Sequence, residues 1–275
     1  MDTIDRAEGQ RAFGTDPEGY HDSRPAYPER VFEILQQRCG LRAGTRTFEI
    51  GAGTGLGTQR LIALGASPIV VIEPDERLAG FISTTLPAGS NMELKIATFE
   101  AATLPLDWFD LGTSASAFHW VDESSSLSKI ARILREDGWW AMWWNLFFDG
   151  SRIDEFHKAT ESLFNDLEHS PSRGLDGRPS FALDTETRTA NLRAVGGLDD
   201  IEVEILKWTT VLNTQRIRRL YATFSPISRL AAGKRERLLD DLAEVAEKQF
   251  GGEVELHITT PIYTACRRRS LEGQQ

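Results

Sequence analysis

The residues of this sequence best suited to chemistry are Glu49-x-Gly51-x-Gly53-x-Gly55, a second acid at Glu73 and a histidine at His119. Glycines at that spacing let the backbone turn tightly and approach a ligand closely, with the N–H groups of a following helix pointing at it. The dinucleotide fingerprint GxGxxG needs a further glycine at 56, 58 or 60. Those positions hold Leu56, Thr58 and Arg60, so that spacing fails in every register. A carboxylate at Glu73 can accept two hydrogen bonds from a ribose diol, or it can be an ordinary solvated acid at a strand end. An imidazole titrates near neutrality, so His119 can take a proton from an acceptor nucleophile. The alternative for His119 is a structural role, ordering its loop.

These residues need elements to hold them. Pro28 opens a helix whose buried stripe is Val31, Phe32, Ile34 and Leu35, with Gly40 as its stop. Strand and helix segments then alternate. Strands are expected at 45–50, 69–72, 92–97, 109–114 and 139–146, and helices at 56–64, 76–85 and 124–134. Short, uninterrupted apolar strands between helices predict a mainly parallel sheet covered on both faces. Glu49 and the glycines fall at the end of the first strand, Glu73 at the end of the second and His119 after the fourth. That is the carboxyl edge, where open α/β sheets bind ligands. After Asn145 the pattern changes. Polar and helical material fills 147–199, with a Gly/Pro/Ser-rich stretch at 170–180. Strands at 201–212 and 253–265 flank further helices at 214–249. The expected architecture is a Rossmann-like, doubly wound α/β sheet of seven strands, with an antiparallel last strand and a helical cap. Its parts are an arm (1–27), a nucleoside-binding core (28–146), and cap helices with the final strands (147–275).

The 275 residues include 41 acidic and 31 basic side chains, a formal charge of −10. Phosphate contacts need clustered Lys and Arg, so this balance argues against a nucleic-acid partner. Cys39 and Cys266 form no CxxC pattern, and the five histidines show no paired-ligand spacing, so neither a disulfide framework nor a metal site is expected. No apolar leader or membrane-length run is visible. The expectation is a cytoplasmic protein, monomeric or homodimeric, acting on a small molecule.

The motifs together resemble the class I S-adenosylmethionine (SAM)-dependent methyltransferases of the bacterial small-molecule type, a group that includes ubiquinone-pathway and trans-aconitate methyltransferases. The resemblance rests on the arm Tyr20-His21-x-x-Arg24-Pro25-x-Tyr27-Pro28, FEIGAGTG, VVIEPD, ATFEAATLPL, FDLGTSASAFHW and ARILREDGWWAMWWN. It covers about residues 13–146 and weakens beyond them. Asp137 and Trp139 depart from the usual Pro and Gly of the last motif, which alters a turn.

The resemblance implies SAM as cofactor, S-adenosylhomocysteine as its product, and transfer of a methyl group to an O, N or C nucleophile. It places Gly51, Ala52, Gly53 and Gly55 along the methionine and ribose, and Glu49 at the glycine loop or the amino group. Glu73 and Pro74 fall at the ribose, Phe99 and Glu100 at the adenine, and Ser114 to Ala117 beneath the methionine chain. Tyr20 and Arg24 would bind the cofactor carboxylate. Stacking of a base on Phe99 also has its own rationale, since aromatic faces bind planar rings. Trp120, Trp144, Asn145 and Phe147 near the same edge, with Tyr221 and Phe224 from the cap, are candidates for the acceptor pocket. The alternatives left open are a tRNA- or nucleotide-directed methyltransferase and a non-catalytic SAM-binding protein.

Overall fold

The computed structural model describes residues 13–86, 89–147, 149–168, 172 and 179–268. Expectations for residues 1–12 of the arm, for His169 and Arg269, and for most of the 170–180 stretch lie outside the described residues. The arm was expected to be irregular but contains a helix, α1 (Pro17–Ser23), because Asp16 caps it by accepting from Gly19 N and Pro17 opens it. Then follow α2 (Glu29–Gln37), β1 (Thr45–Ile50), α3 (Leu56–Ala63), β2 (Ala66–Ile72), α4 (Glu76–Thr85) and β3 (Met92–Lys95). The alternation closes with β4 (Phe109–Ala115), α5 (Glu123–Ile133) and β5 (Leu134–Trp143). β5 starts five residues earlier than expected. Phe109 faces Leu134 while Leu111 faces Trp139, so the Asp137-Gly138 turn survives as a bulge inside the strand. Asp137 takes a left-handed conformation there, with φ of 60°.

The later elements are α6 (Glu155–Thr160), α7 (Thr185–Ala194), β6 (Leu198–Asn213), α8 (Thr214–Ala222), α9 (Ser225–Ser228), α10 (Ala232–Phe250) and β7 (Glu253–Arg267). The seven strands form one sheet in the order β3-β2-β1-β4-β5-β7-β6. Strands β1 to β5 pair in parallel, and β7 runs antiparallel to both neighbours. This is the mainly parallel, doubly wound sheet expected from the sequence.

β5 covers only residues 262–266 of β7, whereas β6 accompanies β7 over nearly its whole length. The outer halves of β6 and β7 therefore project beyond the sheet as a two-stranded ribbon. Residues 146–154 close the ribbon's free edge: Leu146 bridges to Thr259, Thr259 Oγ1 donates to Asp149 Oδ2, and His257 N donates to Asp154 Oδ2. The cap helices α6, α8 and α10 bury Phe156, Ile217, Leu220, Tyr221, Leu239 and Leu242 against Leu212, Val254, Leu256 and Ile258 of the ribbon. Two strands alone are marginal, so the ribbon needs the cap as much as the cap needs the ribbon. The C-terminal arginines are not a free tail: Arg267 pairs with Asp107 and Arg268 with Asp137.

The tryptophan run divides as strand alternation requires. Trp140 and Trp144 join the core on one face of the sheet, and Trp139 and Trp143 pack on the other. At the centre of the first face Phe48 is fully buried between Phe109, Phe99 and Trp140, its ring 4.9 Å from that of Phe109. Gly112 lies opposite Phe48 on β4, and a Cβ there would sit 2.2 Å from the Phe48 ring. We expect Gly112→Ala to destabilise the fold by about 2 kcal/mol through overpacking. An unchanged urea midpoint would show that Phe48 can move aside.

Candidate active site

β1 runs straight into Gly51-Ala52-Gly53-Thr54-Gly55, and α3 begins at Leu56. Gly51 has φ of +67°, and a Cβ on it would approach the Ala117 side chain to 2.5 Å. Both facts require glycine where the loop passes under the segment after β4. Gly57, in the first turn of α3, is constrained differently. A Cβ there would meet Glu49 Oε1 at 2.4 Å, so its missing side chain makes room for a carboxylate.

That carboxylate is fully buried. Thr58 Oγ1 donates to Glu49 Oε2 at 2.5 Å, while Oε1 has no hydrogen-bond partner. Burial, with a contribution from the nearby charge of Glu73, pushes the Glu49 carboxyl up to about 7 against the hydrogen bond from Thr58. Glu73 is 4% exposed and accepts from Gly53 N at 2.8 Å and from Asp75 N at 2.9 Å. Burial outweighs these bonds and raises it to about 7 as well. An unsatisfied oxygen in so dry a place is costly unless a donor or cation comes to it.

Above these groups lies a cavity of about 1100 Å³, part of it open to solvent. Among the expected residues Tyr20, Arg24, Gly51, Ala52, Gly53, Glu73, Pro74, Phe99, Glu100, Trp120, Asn145 and Phe147 line it. The rest lie behind its walls. Glu49 is beneath the glycine loop, Gly55 turns into α3 with φ of 85°, and Ser114 Oγ donates to Ile50 O at 3.0 Å inside the sheet. Phe99 corrects the stacking expectation: its ring is 2% exposed and stacks on Phe48 in the core. A base cannot lie on a face that the core already covers.

His119 is likewise corrected. It is buried in the turn after β4 and does not line the cavity; its Nδ1 accepts from Trp144 Nε1 at 3.1 Å. Its ring neighbours Trp120 and Phe181. This geometry orders the loop and gives no contact with an acceptor. Trp144 is consequently a core residue and not a pocket wall. Tyr221 and Phe224 also stand back from the cavity. Tyr221 is buried in the cap, hydrogen-bonded to His157 Nε2 at 3.1 Å. Phe224 covers Arg24, whose guanidinium lies 4.8 Å from its ring centre and 4.8 Å from that of Tyr20. Arg24 Nη2 donates to Thr223 O, and its buried Nε has no partner.

Tyr27, to which sequence reasoning assigned no role of its own, lines the cavity, as does Ser116 of the 114–117 segment. Tyr27 O–H donates to Ser116 Oγ at 3.1 Å, and burial raises its pKa well above the usual tyrosine range, so it keeps its proton. Its place between two prolines in the arm was the available signal. Ser116 stands at φ of 57°, a conformation that nothing in the sequence announces. The arm is pinned across the cavity by His21 Nδ1 to Thr54 Oγ1 and by Asn145 Nδ2 donating to Pro25 O. Among the described residues no cluster of His, Cys, Asp or Glu is placed to hold a metal ion, and no helix is long and apolar enough to cross a membrane.

Residues 48–142 match the family model described as a methyltransferase domain. The chain is 29% identical over 269 residues to an uncharacterized methyltransferase of Mycobacterium tuberculosis, covering 98% of this chain and 99% of that one. It is 24% identical over 259 residues to an uncharacterized methyltransferase of Schizosaccharomyces pombe, covering 93% and 96%. Among solved structures it resembles the Haemonchus contortus phosphoethanolamine N-methyltransferase 2, determined with phosphomonomethylethanolamine and S-adenosylhomocysteine. That match has a TM-score of 0.59 and 14% identity over 94% of this chain and 60% of the other. The cyclopropane synthase MmaA2 from Mycobacterium tuberculosis gives a TM-score of 0.55 and 13% identity over 96% and 99%. Residues 48–142 thus resemble a methyltransferase domain, and the sheet has the fold of the methyltransferase structures to which the chain is similar.

The buried Glu49 carboxyl makes a prediction about stability. Its folded pKa of about 7 lies above the ordinary carboxyl value of 4.5, so the unfolded chain releases the proton first. Stability is therefore lost as pH rises from the lower value to the higher. Glu49→Gln mimics the protonated group. It should melt at a higher temperature than the wild type at pH 8, by an amount on the order of 1 kcal/mol, with the advantage gone near pH 4.5. Scanning calorimetry across that range checks it; a variant less stable at pH 8 sinks the assignment.

Proposed function

We propose that the protein transfers the methyl group of SAM to an oxygen, nitrogen or carbon nucleophile of a small-molecule acceptor. The observation that carries this reading is the pair of buried carboxyls at the carboxyl edge. Glu49 has an oxygen without a partner, and Glu73, lining the cavity, has one oxygen on Gly53 N of the glycine loop and the other on Asp75 N. A ligand that fits them brings a cation to the first and hydroxyl donors to the second. SAM has an amino group, a sulfonium and a ribose diol, so the residues fit it. When bound, it supplies an activated methyl group, and no further cofactor is needed for the transfer.

The chain's own part is binding, alignment and exclusion of water. Glu49 supports the glycine loop from beneath and its charge attracts the amino group, Glu73 takes the ribose hydroxyls, and the unpaired Nε of Arg24 the carboxylate. Tyr27 and Asn145 wall the far side beneath the arm. His119 acts on this site through Trp144 and the turn it stabilises. The charge of −10 disfavours nucleic acid as acceptor, and the partly open cavity beneath arm and cap favours a small molecule.

Calorimetry with three ligands tests the assignments separately. Glu73→Ala should weaken SAM, S-adenosylhomocysteine and 5′-methylthioadenosine alike, by roughly tenfold or more, since all three carry the ribose. Glu49→Gln should weaken the first two and leave 5′-methylthioadenosine, which has no amino acid, unchanged. Wild-type SAM affinity should rise between pH 6 and pH 8 as the two carboxyls ionise. Unchanged binding of SAM by Glu73→Ala would falsify the ribose assignment.

A further inference from the structure

The base end of the cavity is formed by two turns from different parts of the chain. Thr98, Phe99 and Glu100 follow β3, and Trp120 and Val121 follow β4. The first turn is closed on itself by Ala102 N donating to Thr98 O at 3.0 Å. Its outer side carries an unusual arrangement, in which the carbonyls of Phe99, Glu100 and Ala102 all point at one ammonium. Lys129, on α5, donates to Phe99 O at 2.5 Å, to Ala102 O at 2.5 Å and to Glu100 O at 3.3 Å. Its Nζ also lies 4.6 Å from the centre of the Phe99 ring. An ammonium has three donors and no acceptor, so this set uses it fully.

Three carbonyl dipoles converging on one point repel each other, and without the cation the turn would open to hydrate them. The second turn is tied to the first by Asp122 N, which donates to Glu100 Oε1 at 3.3 Å. Lys129 thus holds the first turn, Glu100 joins it to the second, and the space between them is the slot. Phe99 cannot serve as the stacking platform, because its ring belongs to the core, so the slot depends on the placing of the turns. Burial lowers the Lys129 pKa while the Glu100 carboxylate supports its charge.

We infer that Lys129 is a positioning residue for the nucleobase, acting through the carbonyls of Phe99, Glu100 and Ala102 to set the width and polarity of the slot between the 98–102 and 120–122 turns. The inference rests on SAM being the cofactor. Its test uses S-adenosylhomocysteine, 5′-methylthioadenosine and S-inosylhomocysteine, the last with an oxo group in place of the adenine amine. Lys129→Met keeps the stem and removes the ammonium. It should weaken the two adenine ligands equally, by roughly tenfold, and reduce the wild-type preference for the adenine over the inosine compound. Lys129→Cys should behave as the Met variant, and aminoethylation of the new thiol with 2-bromoethylamine should restore both affinity and preference. Wild-type affinity in the folded Met variant overturns the proposal. So does a loss of affinity with base preference intact and no recovery on aminoethylation. Failure of the wild type to bind S-adenosylhomocysteine would strike the cofactor reading itself.

Discussion

Two carboxyl groups held out of water at the ends of neighbouring parallel strands are the constraint on which the rest of the molecule depends. Glu49 and Glu73 are nearly or fully buried, and each is raised to about 7. Folding alone does not favour such an arrangement. Thr58 satisfies one oxygen of Glu49, and the backbone of Gly53 and Asp75 satisfies Glu73, yet desolvation still dominates. The neighbouring glycines are best understood from this side. Gly57 lacks a side chain because Glu49 Oε1 occupies the place where one would be. The glycine loop is therefore shaped by the carboxylate beneath it as well as by the ligand above it.

The cap follows from a different constraint, the edge strands. A sheet ending in β7 and β6 has to do something with the residues that extend past β5. Here the excess becomes a ribbon, and the segment 146–154 covers the edge that β5 leaves free. Helices α6, α8 and α10 then give the ribbon its apolar face. α8 ends beside the arm, where Thr223 O and Phe224 receive Arg24. The same packing that stabilises two long strands thereby closes the cavity.

The core was legible in the sequence because its signals are local. Continuous apolar strands, an acid before spaced glycines and helix-capping residues each act within a few positions. Asp75 and Asp122, which cap α4 and α5, are in the sequence and do what their type predicts. Trp139 to Trp144 divide between the two faces because strand alternation leaves no freedom. What failed was the side chain whose role depends on distant partners. Phe99 follows a strand at the right edge, yet Phe48 stacks on its ring within the core. His119 has a base's chemistry and the right place in the chain, but Trp144 takes its Nδ1. Lys129 lies on a helix outside the motifs, and only its contacts with the turn after β3 reveal its use.

The cavity's walls carry charge of both signs. The acidic groups sit at the sheet edge, and the guanidinium of Arg24 sits on the arm, clasped by Tyr20 and Phe224 with one N–H unsatisfied. Opposite charges separated by a cavity attract weakly through water and strongly once water is displaced. A zwitterionic ligand with a cation at one end and a carboxylate at the other completes both poles at once. The free protein therefore carries two unfavourable burials, and a ligand that binds only the folded state returns that free energy as added stability. The arm is held in register by its own links, from His21 to Thr54, Arg24 to Thr223 O, Tyr27 to Ser116 and Asn145 to Pro25.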